Sequence, residues 1–188
     1  MNHNWGECYF DHYASFLNTL TNRRLYESGH DTPSIQVLEY SGVFVGCRVF
    51  ASLGLSHYSS SLGQICEVVV PADAGWASIP TILANTLFHV VKHHRSFGSG
   101  IGINGIDIIC PEFTRAYTKH ALYFTHPYGY PNGFETLKCS NELGHVYLGI
   151  FISQSEFDYL SKVGADRFEE LLQNRGVDPY NVGRTSVI

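Results

Sequence analysis

The sequence runs to 188 residues, 44% of them hydrophobic, with 12 Lys and Arg against 17 Asp and Glu and a formal net charge of −5. That length and apolar content suffice for one globular domain spanning 1–188, with its own core. An acidic chain without clustered Lys and Arg has no grip on phosphate backbones, and no window approaches the roughly 20 apolar residues that cross a bilayer, so neither nucleic acid nor membrane is an expected partner.

In chain order, Tyr9, Tyr13, Phe16, Leu17 and Leu20 have the three-and-four spacing of an amphipathic helix over 9–21. Residues 35–40 and 43–53 read as a hairpin divided near Ser41-Gly42, 56–63 as a polar loop, and 64–70 as a strand stopped by Pro71. Three adjacent antiparallel strands follow from this. Residues 76–95 form the longest helical candidate, with Ile79, Ile82, Leu83, Thr86, Leu87 and Val90 on the arc that should lie across the sheet. Beyond a glycine turn come strand candidates at 103–109, 121–125, 134–139 and 146–152, separated by loops rich in Pro, Gly or Asn.

The last forty residues are the most clearly signposted. Ser153-x-x-Glu156 is a capping box, Phe157, Leu160 and Val163 give its helix one buried stripe, and Gly164 ends it. Asp166-x-x-Glu169 then starts a second helix with Phe168, Leu171 and Leu172 inward and Gly176 as its stop. Asp178-Pro179 directs the chain into an extended Arg184-Thr-Ser-Val tail. Ser153, Glu156, Asp166 and Glu169 are all read as helix caps. The order of elements predicts an α+β fold, a mainly antiparallel β-sheet packed with helices.

A strand, two capped helices and an Arg-x-Ser-Val tail resemble the end of the suppressor-of-fused domain, and three upstream segments are similar to that family's marks. Phe50-Ala-Ser-Leu-Gly54-Leu55-Ser56 resembles its strand ending in Gly-Leu-Ser, Cys66-Glu67-Val-Val-Val70 its next strand, and Phe97-Gly-Ser-Gly100 its glycine turn after the central helix. The likeness spans roughly 43–188 and covers the N-terminal segment 1–33 poorly. It implies a suppressor-of-fused-like protein-binding domain without a catalytic centre or cofactor. Animal members hold transcription factors in a clamp made with a second domain, for which this chain is too short. Many bacterial relatives resemble immunity proteins encoded beside secreted toxins, so a co-encoded toxin is the partner this branch suggests. Asp107 and Glu112 compete for the position of the acidic residue that animal members use, and no partner-binding residue is carried over.

Other patterns suggest chemistry and have plainer readings. Gly100-Ile-Gly102-Ile-Asn-Gly105 has the form of a dinucleotide fingerprint, but a helix enters it and a strand leaves, the reverse of the order that presents helix N–H groups to a pyrophosphate. A backbone turn is the expected role. His89 and His93 are four apart on the long helix, the spacing of a metal-binding pair and the basis of an alternative reading as a metal-dependent hydrolase. The usual glutamate after the first histidine is Val90, and a packed or hydrogen-bonded role is favoured. Cys8, Cys47, Cys66, Cys110 and Cys139 lack short pair spacing, which argues against a disulfide framework and for a reducing, cytoplasmic location. Cys110 and Ser56 could be nucleophiles only with a histidine base nearby, and core filling and strand ending are their simpler roles.

One loop concentrates aromatics where polar turn residues would suffice. Tyr123, Tyr128, Tyr130 and Phe134 are candidate protein-binding residues, because tyrosine adds contact area with few torsions to freeze. The competing reading folds the same rings back as a lid on the sheet. A regulatory or scaffolding module binding a host factor is the remaining alternative.

Overall fold

The computed structural model describes residues 4–29, 32–93 and 96–188. Its centre is an eight-stranded sheet in the order β1 (Thr19–Tyr26), β2 (Ile35–Ser41), β3 (Arg48–Leu53), β4 (Cys66–Ala72), β8 (Glu142–Ile152), β6 (Ala121–Thr125) and β5 (Ile101–Asn104), with β7 (Thr136–Cys139) paired to the first part of β8. β4 and β8 run parallel, while the other paired strands are antiparallel. Strand residues alternate between two cores. Leu122 and Phe124 of β6, with Tyr147 and Phe151 of β8, face the helix α3 (Ile79–His93) side; Tyr123, Val146, Leu148 and Ile150 face the side of α1 (Trp5–Phe16) and the two C-terminal helices. The α+β expectation holds, with helices on both faces of the sheet.

The predicted arc of α3 is buried in full, but the helix starts at Ile79. Trp76 instead lies beneath the Arg48 guanidinium, 4.1 Å from its ring centroid, while Arg48 pairs with the buried Glu39 carboxylate. The expected helix end at Arg95 lies outside the described residues. At the other end, Ser153 Oγ accepts the Glu156 N–H at 3.2 Å and Glu156 accepts the Ser153 N–H at 2.8 Å, so the capping box starts α6 (Gln154–Val163) as predicted.

Several boundaries differ from expectation. The first helix stops at Phe16, and β1 follows at once. All of β1 but Tyr26 is exposed, so it has no alternating apolar face, and its ladder to β2 alone makes it a strand. Pro71 lies inside β4, opposite Val49 of β3. The β8 ladder ends at Val69, so no second neighbour asks Pro71 for the N–H it lacks. Residues 56–63 are not a plain loop: a 3-10 turn (Leu55–Tyr58) leads into α2 (Ser59–Leu62). The isoleucine-rich run expected as a strand at 103–109 is split by Gly105, whose φ of 114° turns β5 into α4 (Ile106–Ile109), followed by α5 (Pro111–Tyr117). A short apolar run does not distinguish strand from helix by itself.

The cysteine reading also needs correction. Cys8 on α1 and Cys139 on β7 form a disulfide with Cα atoms 6.1 Å apart, while Cys47, Cys66 and Cys110 are free thiols. The two bonded cysteines are 131 positions apart, a separation at which sequence spacing carries no pairing signal.

Candidate functional site

Three of the four family-like motifs meet around two buried carboxylates. Glu67 lies within β4, and its Oε1 accepts the N–H groups of Gly54 at 2.8 Å and Ser56 at 3.0 Å while Ser52 Oγ donates to its Oε2 at 2.5 Å. The Gly-Leu-Ser turn and the following strand are therefore one unit, with the glutamate satisfying the turn's donors. Burial pushes the Glu67 carboxyl up and the donors pull it back, leaving it above its ordinary value. Gly54 has a φ of 116°, and a Cβ there would stand 2.5 Å from the Ser34 carbonyl oxygen. Ser56 is thus a backbone donor to this carboxylate.

The second carboxylate, Glu156, is a capping residue and also the counter-ion of the tail. Arg184 Nη1 donates to its Oε1 at 2.6 Å and Nη2 to its Oε2 at 3.1 Å, and the Val187 N–H adds a bond to Oε1 at 3.1 Å. Burial raises the carboxyl, but the arginine's hydrogen bonds and charge outweigh it, so Glu156 titrates below the usual carboxylate range. Lys119 Nζ donates to the Arg184 carbonyl at 2.7 Å, and Ser186 Oγ shares hydrogen bonds with Ser153 and Ser155 at 2.9 Å. This cluster is structural: it fastens the last segment to the start of α6.

The other tempting groups also have local structural partners. Among the described residues no group of three His, Cys, Asp or Glu side chains is placed to hold a metal, and the rings of His89 and His93, 4.7 Å apart and tilted by 42°, lie on an exposed part of α3. Cys110 is buried with its thiol 3.0 Å from Glu112 Oε1. Gly102 gives α6 room to approach β5, since a Cβ there would meet Leu160 at 2.8 Å.

One cleft, of about 480 Å³, lies between β6, β8 and the end of α7 (Ala165–Asn174), lined by Tyr123, Thr125, Tyr128, Glu169, Val177 and Pro179 among others. The aromatic loop supplies one wall and divides between the two readings given to it. Phe134 is fully buried, stacked on Tyr130 at 4.2 Å and against His12 of α1, and Tyr130 meets Phe44 edge-on at 5.1 Å. These two rings are the lid. Tyr123 is buried against Phe168, 5.1 Å between centroids, and only its hydroxyl end reaches the cleft. As surface contacts, Tyr123 and Phe134 are corrected, because packing against neighbouring elements removes both rings from solvent.

Tyr128 is different. It is 49% exposed, and its backbone carbonyl accepts the Tyr180 hydroxyl at 3.0 Å. Close packing and the neighbouring Glu169 carboxylate push its own hydroxyl up to about 12. Gly129 beside it has a φ of 82°, and a Cβ there would fall 2.9 Å from the Tyr180 hydroxyl, so the loop's path depends on glycine. Phe44 packs on Tyr180 at 4.8 Å, and Val45, the next residue in sequence, is fully exposed.

Glu169 is not a helix cap. Gly164 caps α7 without a side-chain bond, and Asp166 makes none to the backbone there. Glu169 Oε1 accepts the hydroxyls of Tyr123 at 2.6 Å and Thr125 at 2.5 Å, which the sequence reading missed because it placed the residue only within its own helix.

With this geometry in place, comparison with known proteins is informative. The chain is 22% identical over 148 residues to immunity protein YqcF of Bacillus subtilis (strain 168), which covers 76% of each chain. A SUFU homolog from Neisseria gonorrhoeae FA 1090 shares the fold with a TM-score of 0.78 at 15% identity, covering 98% of this chain and 97% of its own. A chain of the Sufu–Fu complex gives a TM-score of 0.65 at 14% identity over 97% of this chain and 90% of its own. The family model described as suppressor of fused protein (SUFU) matches residues 31–185, the stretch that holds Glu67, Glu156, Arg184 and the cleft, and the chain belongs to that family.

Proposed function

We propose that this protein works by binding another protein, a toxin encoded beside it, and masking the toxin's active surface without performing chemistry itself. The observation that carries the reading is the exposed aromatic ring of Tyr128 at the mouth of a cleft, on a fold whose other marked carboxylates are committed to structure. Likeness to an immunity protein supports the choice of a toxin as partner. An interface on the order of 1,600 Å² in total would cover the cleft and its surroundings and could occlude a catalytic surface. We place the complex in the cytoplasm, where a co-encoded toxin is made.

Co-expression with the product of the neighbouring gene tests this. A 1:1 complex on size exclusion, together with restored growth of cells carrying the toxin, is the expected result. A toxin that neither co-purifies nor is neutralised would overturn it, and recovery of a regulatory host protein in its place would point to the scaffolding alternative.

A further inference from the structure

The cleft has a chemical bias that identifies part of its occupant. Both hydroxyl donors to Glu169 use Oε1, from Tyr123 and Thr125, which leaves Oε2 of a half-buried carboxylate without a protein partner among the described residues. The final turn of α7 contributes Leu172 and Gln173 to the same wall, and Gly176 lies just past it. A helix C-terminus carries partial negative charge that favours a cation; this helix has no basic side chain in its last turn, and its C-cap residue, Arg175, lines a neighbouring recess and not this cleft. Asp178 adds a second carboxylate whose charge reaches Tyr128. The opposing charge felt there is Arg184, already held by Glu156. Exposed Tyr128 offers an aromatic ring beside this negative recess, the surface on which a planar cation stacks.

We infer that the cleft seats a basic side chain of the protein partner, an arginine in preference to a lysine, between the free oxygen of Glu169 and the ring of Tyr128. The inference rests on the protein-binding reading and specifies its anchor. A guanidinium suits the place because its planar fork can donate to Oε2 while its face lies on the tyrosine. The chain's net charge of −5 would steer a basic partner toward it.

The test is a nuclear magnetic resonance titration with N-acetyl-arginine amide, using N-acetyl-citrulline amide as the neutral isostere. Saturable shifts centred on the Thr125, Gly176 and Val177 amides are expected for the arginine probe, with about tenfold or greater weakening for citrulline and for the Glu169→Gln variant. Gln keeps an oxygen for Tyr123 and Thr125, and an unchanged melting curve would show that the variant is folded. Absence of saturation, or equal binding of both probes, would overturn the inference. If that occurred while Tyr128→Ala still abolished capture of the toxin, the protein-binding reading would stand without this anchor. Loss of capture requires a toxin that binds the wild type, so failure of the broader reading shows separately in the wild-type complex.

Discussion

Glu156 and Glu169 sit on consecutive helices, and both fall in the sequence pattern of a helix cap, yet the fold uses them in opposite ways. Glu156 has both oxygens occupied by Arg184 and by the backbone N–H groups of Ser153 and Val187, and no part of it reaches solvent. Glu169 spends one oxygen on two hydroxyls and turns the rest of its charge toward an open cleft. The difference teaches that the same helix-start pattern can place a carboxylate in a saturated structural cluster or leave it with bonding capacity to spare at an open recess.

The sharpest way to break the comparison is to remove the Glu156 counter-ion. Arg184→Met leaves a buried carboxylate unpaired, and a loss of ~3–5 kcal/mol is expected in chemical denaturation at neutral pH. The sign with pH follows from the depressed Glu156 carboxyl. Its stabilising contribution is present in full above the ordinary carboxylate value of about 4.3 and is lost as pH falls through the lower folded value. In Arg184→Met the unpaired carboxyl is protonated more readily, so the gap from wild type should narrow in acid. A gap that stayed constant from neutral to acid pH would contradict the ion-pair account.

Smaller effects separate the lid from the exposed ring. Replacing Cys8 and Cys139 by serine releases α1 from β7 and should cost ~2–4 kcal/mol in the oxidised protein, with little effect under reducing conditions. Tyr130→Ala removes the ring stacked on Phe134 and should lower stability by ~3 kcal/mol, while Tyr128→Ala should stay within ~0.5 kcal/mol of wild type. Tyr130→Phe is the finest test. The Tyr130 hydroxyl is buried without a hydrogen-bond partner among the described residues, so removing it should leave stability unchanged or raise it by up to ~1 kcal/mol. A marked loss in thermal denaturation would mean that the hydroxyl has a partner after all.

Local patterns were legible wherever one element determined its own form. The capping box at Ser153 and Glu156 and the buried arc of α3 follow from spacing along a single segment. β1 was hidden because all but Tyr26 of it is exposed and shows no apolar alternation, and the helix-strand switch at Gly105 because a run of isoleucines suits both states. The Cys8–Cys139 bond, the Glu67 contacts with the Gly54 turn and the Glu156–Arg184 pair all join residues from separate elements, so spacing could not reveal them. The sequence singled out the aromatic loop but could not rank the exposure of its four rings. Burial separated Phe134 and Tyr123 from Tyr128, and it was set by α1 and α7, which pack from distant parts of the chain.

The most direct measurement is the affinity of purified wild type, Tyr128→Ala and Arg184→Lys for the product of the neighbouring gene, taken by calorimetry at a temperature where all three are folded. Binding by wild type, weakened by about 30-fold or more in Tyr128→Ala and little changed in Arg184→Lys, is the result expected of a surface anchored at the cleft. Equal affinity of wild type and Tyr128→Ala would contradict it.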